Sequence, residues 1–156
     1  MDDRALIQQQ LALSHRLLKH SLTDISEEEA HRMPAPGVSP IVWQVGHVAY
    51  VNFSFALGPG GTRDRAPESY PGLFATGTGG LAGYPPFGEV VTELDDSHTA
   101  LLAKVAEADL TTPSDGPFGA WKNFAEMYAF ANNHCWYHIG KINTLRALLG
   151  KPRVFG

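Results

Sequence analysis

Apolar residues recur with the spacing of α-helices in four long segments of this chain, and no segment shows the strict alternation of a β-strand. The longest apolar stripe runs from Phe124 to Leu149 in steps of three and four residues. Gly150 and Pro152 follow it, as is typical of helix C-termini. We therefore expect an all-α protein whose last helix runs from about Gly119 to Gly150.

Two further helices are predicted in the first part of the chain. The first carries an apolar stripe that begins at Leu6. Ser26 and Glu29 have the spacing of a capping box, which predicts one short helical turn in the connector that follows. The second long helix begins at Ser39, a favourable N-cap with proline at the next position, and ends near Leu57.

Glycine and proline concentrate after the second helix. The chain has 16 glycines and 11 prolines, and 14 of these residues lie in positions 58–88, where no helical period is sustained. A loop of this length is either a functional lid or a crossover on the surface. The third helix follows from about Phe87 to Ala108. Four helices joined in this way predict a four-helix bundle, a single domain over residues 1–156, with a long Gly/Pro-rich loop between the second and third helices.

Composition and charge exclude several classes of function. Lys and Arg number 12 against 16 Asp and Glu, the formal net charge is −4, and no basic run is present, so nucleic acid is not an expected ligand. No stretch approaches the roughly 18 apolar residues of a membrane span, so no membrane partner is expected. A single cysteine cannot form an internal disulfide, which favours a cytoplasmic protein.

Two of the seven histidines lie four residues apart on the last predicted helix. His134 and His138 therefore share a helix face, with Cβ atoms roughly 5 to 6 Å apart, a spacing that can hold one metal ion. A third ligand must come from another helix. His47, inside the apolar second helix, is the natural candidate because a buried imidazole needs partners for both nitrogens. Three histidines leave the remaining coordination positions open, as catalytic metal sites require.

Each of these histidines has an alternative interpretation as an ordinary core or surface residue. His98 lies on the seam of the third helix, either as a core residue or as a fourth ligand. His15, His20 and His31 lie in polar surroundings, and we expect them to face solvent. A zinc protease of the H-E-x-x-H type is excluded, because the segment between the paired histidines of the last helix contains no glutamate.

Several neighbours of the three histidines are candidates for further roles. Trp43 and Tyr50 share the helix face of His47 and are predicted to bind substrate, although aromatic residues at this spacing also serve as core packing. Cys135 is interpreted as a small core residue rather than a ligand or nucleophile. No catalytic residue is assigned, and Glu126 is the one weak candidate for a general base.

Three stretches of the chain resemble the DinB-like superfamily, bacterial four-helix bundles that include the bacillithiol S-transferases. Residues 39–47 (SPIVWQVGH) and 134–143 (HCWYHIGKIN) are similar to the family's histidine-bearing segments, and residues 145–152 are similar to its usual ending. The resemblance implies a DinB-like bundle and a divalent metal ion on the three histidines at positions 47, 134 and 138. We expect zinc or nickel, with iron or manganese as alternatives, because imidazole-rich sites accept several of these metals.

The resemblance leaves the reaction open. Relatives include bacillithiol transferases, mycothiol-dependent isomerases and the thiol-binding portion of ergothioneine-forming enzymes. We expect a metal-dependent thiol S-transferase or a hydrolase that acts on a small-molecule substrate, with a low-molecular-weight thiol as the candidate cosubstrate. The alternatives are a non-catalytic, stress-associated metal-binding bundle that acts as a homodimer, and a structural bundle whose histidines bind no metal.

Overall fold

The computed structural model of the protein describes residues 2–57 and 67–155. These residues form no β-strand, and the prediction of an all-α bundle is confirmed. A short 3-10 helix, Pro117–Gly119, lies before the last α-helix. The α-helices of the described residues are α1 (Asp3–His20), α2 (Glu27–His31), α3 (Ile41–Leu57), α4 (Tyr70–Phe74), α5 (Phe87–Glu107) and α6 (Phe124–Leu148).

The four long helices form a ring in which α1 and α3 each pack against both α5 and α6. α1 and α5 are antiparallel, because Arg4 at the start of α1 contacts Ala108 at the end of α5, whereas His15 contacts Asp95. α3 and α6 are antiparallel in the same way, because His47 contacts His134 and the earlier Gln44 contacts the later His138. α1 and α6 run in the same direction, because Ile7 and Met127, near the starts of the two helices, share one apolar cluster, while Leu18 and Ile142, near their ends, share another. α3 and α5 are therefore parallel neighbours, and the chain must return by about 25 Å, the length of α3, before α5 begins. This return explains the long connection between them.

Capping groups set the ends of several helices. The predicted capping box between Ser26 and Glu29 is present at the start of α2. α3 begins two residues after Ser39, and the carbonyl of Pro40 accepts the N–H of Gln44. Gly150, with φ +79°, ends α6 by donating its N–H to the carbonyl of Ala147.

The last helix begins later than its sequence predicts. α6 starts at Phe124 rather than near Gly119, and the Asn123 side chain caps it by accepting the N–H of Glu126. The residues before it form a turn that pairs backbone groups across Pro113 and Asn123. These pairings and the 3-10 helix at the tip of the turn satisfy backbone groups of the segment without an α-helix, so the prediction of an α-helix was wrong for residues 119–123.

The Gly/Pro-rich connection contains a helix that the sequence did not predict. Residues 58–66 lie outside the described residues, but α4 follows them and buries Tyr70 and Phe74. α4 packs on α3, where a Cβ at position 46 would lie 2.2 Å from the Phe74 ring. Gly46 therefore allows the close approach of Phe74 to α3.

Two apolar clusters fill the bundle, one at each end. Between them lies a layer of buried polar side chains that includes Ser14, Asn52, Ser97 and His98. Within the described ranges, no helix combines the length and apolar character needed to cross a membrane.

Candidate metal centre

Three imidazoles from two antiparallel helices meet at one point in the bundle. The Nε2 atom of His134 on α6 lies 3.2 Å from Nε2 of His47 on α3 and 3.1 Å from Nε2 of His138. The candidate ligand atoms of the three residues all lie within 4.8 Å of one another. His47 and His138 are buried and His134 is half-buried. The structure thus brings together the three histidines that the sequence singled out.

Hydrogen bonds determine which nitrogen two of these rings present. Nδ1 of His47 lies 2.6 Å from the carbonyl oxygen of Phe74, which can only accept, so this nitrogen carries the proton. Nδ1 of His138 donates in the same way to Oε1 of Gln44 at 2.7 Å. In the neutral rings, Nε2 of both residues is therefore unprotonated, and its lone pair faces the cluster.

The converging lone pairs favour a cation between them. A proton on Nε2 of His134 can be donated to only one of its two neighbours, which leaves the other close contact without a donor. A bound cation satisfies all three nitrogens at once. Two nitrogens at 2.0–2.1 Å from one tetrahedral ion are about 3.3 Å apart, close to the observed separations. The residues present therefore fit a divalent metal ion.

Burial keeps the three imidazoles neutral. Burial lowers the pKa of His47, and it lowers the pKa of His134 to about 4 with a contribution from His47. The pKa of His138 falls to about 2 because of burial, the two neighbouring histidines and Lys141. Metal ions bind the neutral form of histidine, so the cluster is ready to bind one at neutral pH.

Aromatic rings surround the cluster and limit its movement. Trp43 stacks on His47, with ring centroids 4.7 Å apart and planes 11° from parallel. Phe130 stacks on His134, and Tyr137 meets His138 edge to face. Nδ1 of His134 is buried without a hydrogen-bond partner among the described residues. Packing, rather than a hydrogen bond, therefore orients the ring of His134.

The cluster lies in the wall of an open cavity of about 540 Å³. All three histidines reach this cavity, together with Trp43. Tyr50 does not line it and instead packs in the core cluster. Of the two aromatic residues predicted to bind substrate, Trp43 lines this cavity and Tyr50 does not.

The family model that matches the chain is that of the DinB superfamily, over residues 10–142. The chain belongs to the DinB superfamily. A search of the curated proteins finds no match. The matched range contains α3 and the three histidines, and it ends within α6. Membership agrees with the helical bundle and with a three-histidine cluster that can hold a divalent metal ion.

The remaining histidines of this DinB-superfamily protein do not join the cluster. His98 is a buried core residue, as one sequence interpretation had it, and its ring stacks on His15 with centroids 4.0 Å apart. The prediction that His15 faces solvent was wrong, because its Nε2 also contacts Asp95 at 3.0 Å. His20 is exposed, as predicted. His31 is only half-exposed, since its nitrogens contact the carbonyl oxygens of Glu27 and Pro85.

Two other candidates take structural roles. Cys135 is buried in the core, and burial raises the pKa of its thiol to about 11, so it is a core residue as the sequence predicted. Glu126 lies exposed in the first turn of α6, where its carboxylate accepts the N–H of Lys122. This position gives Glu126 a capping role, and the suggestion of a general base is not supported.

Three groups that contribute to the site were not predicted from the sequence. Gln44 lies three residues before His47 in the apolar first half of α3, and a polar residue at this position was the available signal for a partner. The carbonyl of Phe74 carries no side-chain signal at all, because it belongs to a helix that was not predicted. Lys141 lines the cavity one helical turn beyond His138 and looks, in the sequence, like any exposed lysine.

Proposed function

We propose that this protein is a metal-dependent enzyme that activates a small thiol for transfer to an electrophilic substrate. The observation that carries the proposal is the convergence of three neutral imidazoles at the wall of an open cavity. His47, His134 and His138 would hold a divalent ion, and the chemistry it would supply is a lowered pKa for a thiol bound at its open position, which would release its proton to solvent and become a thiolate nucleophile. Zinc and nickel suit this donor set.

The charge of the ligand set supports this chemistry. Neutral imidazoles leave the full charge of a divalent ion available to an anionic nucleophile, whereas a carboxylate ligand neutralises part of it. The hydrogen bonds from His47 to Phe74 and from His138 to Gln44 keep both rings oriented while a ligand exchanges. The chain's own contribution is thus to hold three nitrogens in place and to leave one side open.

Thiol transfer is favoured over hydrolysis by the walls of the cavity. Among the described residues that line it, none is an aspartate or glutamate. Activation of water for hydrolysis commonly uses a carboxylate or histidine base, and the three histidines here are engaged as ligands. A metal ion lowers the pKa of bound water as well as that of a bound thiol, but the free thiol, with a pKa of about 8.5, starts much closer to neutrality than water does.

The first test is metal binding. Protein purified without a histidine tag is expected to bind close to one equivalent of zinc or nickel, measured by elemental analysis after dialysis. His134→Ala is expected to lose the metal. His20→Ala removes an exposed histidine and is the matched control, which is expected to retain it. Equal metal content in all three proteins would show that the metal binds elsewhere and would overturn the proposal.

The second test is turnover. A panel of small thiols is assayed with a chromogenic electrophile, with and without a chelator. The metal-loaded protein is expected to accelerate thioether formation, and His47→Ala and chelation are both expected to abolish the acceleration. Stoichiometric metal without acceleration for any thiol would instead support the non-catalytic metal-binding bundle.

A further inference from the structure

We propose that Lys141 recognises an anionic group on the thiol and thereby selects which thiols reach the metal centre. This inference rests on the proposed function and names the substrate class of the same cavity: a small thiol that also carries a carboxylate or a phosphate. Lys141 follows His138 by three residues on α6, so it lies about 4.5 Å further along the helix axis and on a neighbouring face.

The charge of the cavity is the first argument. Lys141 is the one lysine or arginine among the described residues of its lining, and no carboxylate lines it. The protein as a whole has a formal net charge of −4, so the charge of this cavity is opposite in sign to the net charge of the molecule. A bound divalent ion adds to the positive potential, which favours an anionic ligand over a neutral one.

The contacts of Lys141 are the second argument. The ion pairs found among the described residues do not include it, although Lys19 and Lys151 both contact carboxylates. Its Nζ lies 5.3 Å from the centroid of the Tyr137 ring, a residue that also lines the cavity. A cation–π contact positions the ammonium without neutralising it. The three donors of Lys141 thus stay available to a ligand.

The shape of the cavity is the third argument. Its lining also includes Thr144, whose hydroxyl donates to the carbonyl of Gly140, and the apolar side chains of Leu145 and Leu148. A ligand whose sulfur reaches the histidines therefore lies in the same cavity as Lys141, which is about one helical turn from His138. The three-histidine cluster and the ammonium of Lys141, about one helical turn apart on α6, fit a molecule with a thiol at one end and an anionic group close to it.

Paired thiols of matched shape test the inference. The protein is loaded with Co²⁺, and thiol binding is followed by the change in its visible absorption. 3-Mercaptopropionate is compared with the neutral 3-mercaptopropionamide, and 2-mercaptoethyl phosphate with 2-mercaptoethanol. We expect the Kd of at least one anionic thiol to be about tenfold lower than that of its neutral partner. The pair with the larger difference identifies the preferred anion.

Substitutions assign the preference to Lys141. Lys141→Gln is expected to remove the difference within each pair, and Lys141→Glu is expected to reverse it. Lys122→Gln makes the same change of charge at an exposed position just before α6, outside the cavity, and is expected to keep the wild-type preference. An undiminished preference for the anionic thiols in Lys141→Gln would overturn the inference.

The same titrations separate this inference from the function on which it rests. Equal binding of both members of each pair by the wild type overturns the role of Lys141 and leaves thiol activation standing. Failure of every thiol to perturb the Co²⁺ spectrum overturns thiol activation itself, and the role of Lys141 with it. Circular dichroism of each variant confirms that the helical bundle is intact.

Discussion

At the scale of single residues, Gln44 and the carbonyl of Phe74 decide which nitrogen two of the histidines present to the cluster. Each accepts a hydrogen bond from an Nδ1 atom, at 2.7 Å for His138 and 2.6 Å for His47. The proton is thereby kept away from the Nε2 atoms that converge. Such partners raise the basicity of a ligand and hold its ring in place, so their loss weakens metal binding without removing a ligand.

Substitution of Gln44 tests this role. Gln44→Leu retains the volume of the side chain but removes the acceptor, which leaves Nδ1 of His138 without its partner and frees the tautomer. We expect zinc affinity to fall by roughly 10- to 100-fold, measured by competition with a chromophoric chelator. Gln10→Leu makes the same substitution at an exposed position of α1 and should leave the affinity unchanged. Equal affinities of both variants and the wild type would contradict the role assigned to Gln44.

The three histidines could be predicted from sequence because helical spacing alone places two of them on one face. The partners of these histidines could not. Gln44 belongs to the same helix as His47 but contacts a histidine of α6, so its role depends on the packing of two helices. Lys141 is marked only by the cavity it lines, and cavities form when elements pack.

At the scale of elements, α1 and α5 share a polar contact in the middle of the bundle. The rings of His15 and His98 stack with planes 1° from parallel, and Asp95 accepts hydrogen bonds from Lys19 and from His15 when Nε2 of His15 carries the proton. Burial and the neighbouring His15 lower the pKa of His98 to about 4, with Asp95 opposing the shift. Burial also lowers the pKa of His15. Both rings are therefore neutral in the folded protein near pH 7.

This contact predicts a loss of stability in acid. The pKa of His98 is 6.5 when unperturbed and about 4 in the folded protein. Between these values the unfolded chain binds more protons, so the stabilisation is complete above pH 6.5 and is lost as pH falls towards 4. We expect His98 to contribute about 2 to 3 kcal/mol to the difference in unfolding free energy between pH 7 and pH 4.5.

Urea unfolding of the metal-free protein at both pH values measures this difference. His98→Gln should reduce it, whereas His20→Gln, at an exposed position of α1, should not. The three histidines of the cluster also contribute to the pH dependence of stability, but this contribution is the same in the wild type and in both variants, so it cancels when they are compared. A pH dependence that is the same in His98→Gln and the wild type would show that His98 is not the group responsible.

The long helices could be predicted because their periodicity is sustained over many turns, but α4 could not. It spans five residues and contains both proline and glycine, so its local sequence signal is that of a loop. Contact with α3 stabilises it, through the burial of Phe74 against the glycine at position 46. The contacts of His15 could not be predicted from local sequence either, because its partners come from α5, about 80 residues along the chain.

At the scale of the whole molecule, the three-histidine cluster joins two antiparallel neighbours of the ring, α3 and α6. α3 leads into the long return to α5, while α6 is the last helix and packs on α1 as well. α4, on that return, supplies the carbonyl that orients His47. A metal ion at this centre therefore cross-links elements that are 87 residues apart in sequence, and its binding free energy contributes to the stability of the folded bundle.

Thermal unfolding measures this contribution. A ligand that binds only the folded state at 100 times its Kd stabilises it by about 2.7 kcal/mol. For a domain of this size, this corresponds to a rise in Tm of about 5 to 10 °C. We expect zinc or nickel to raise the Tm of the metal-free wild type by this amount and to leave the Tm of His138→Ala almost unchanged. His20→Ala, which keeps all three ligands, should show the wild-type shift. A shift of equal size in His138→Ala would place the stabilising metal outside the three-histidine cluster, because a site that has lost one of three ligands cannot hold the ion with unchanged affinity.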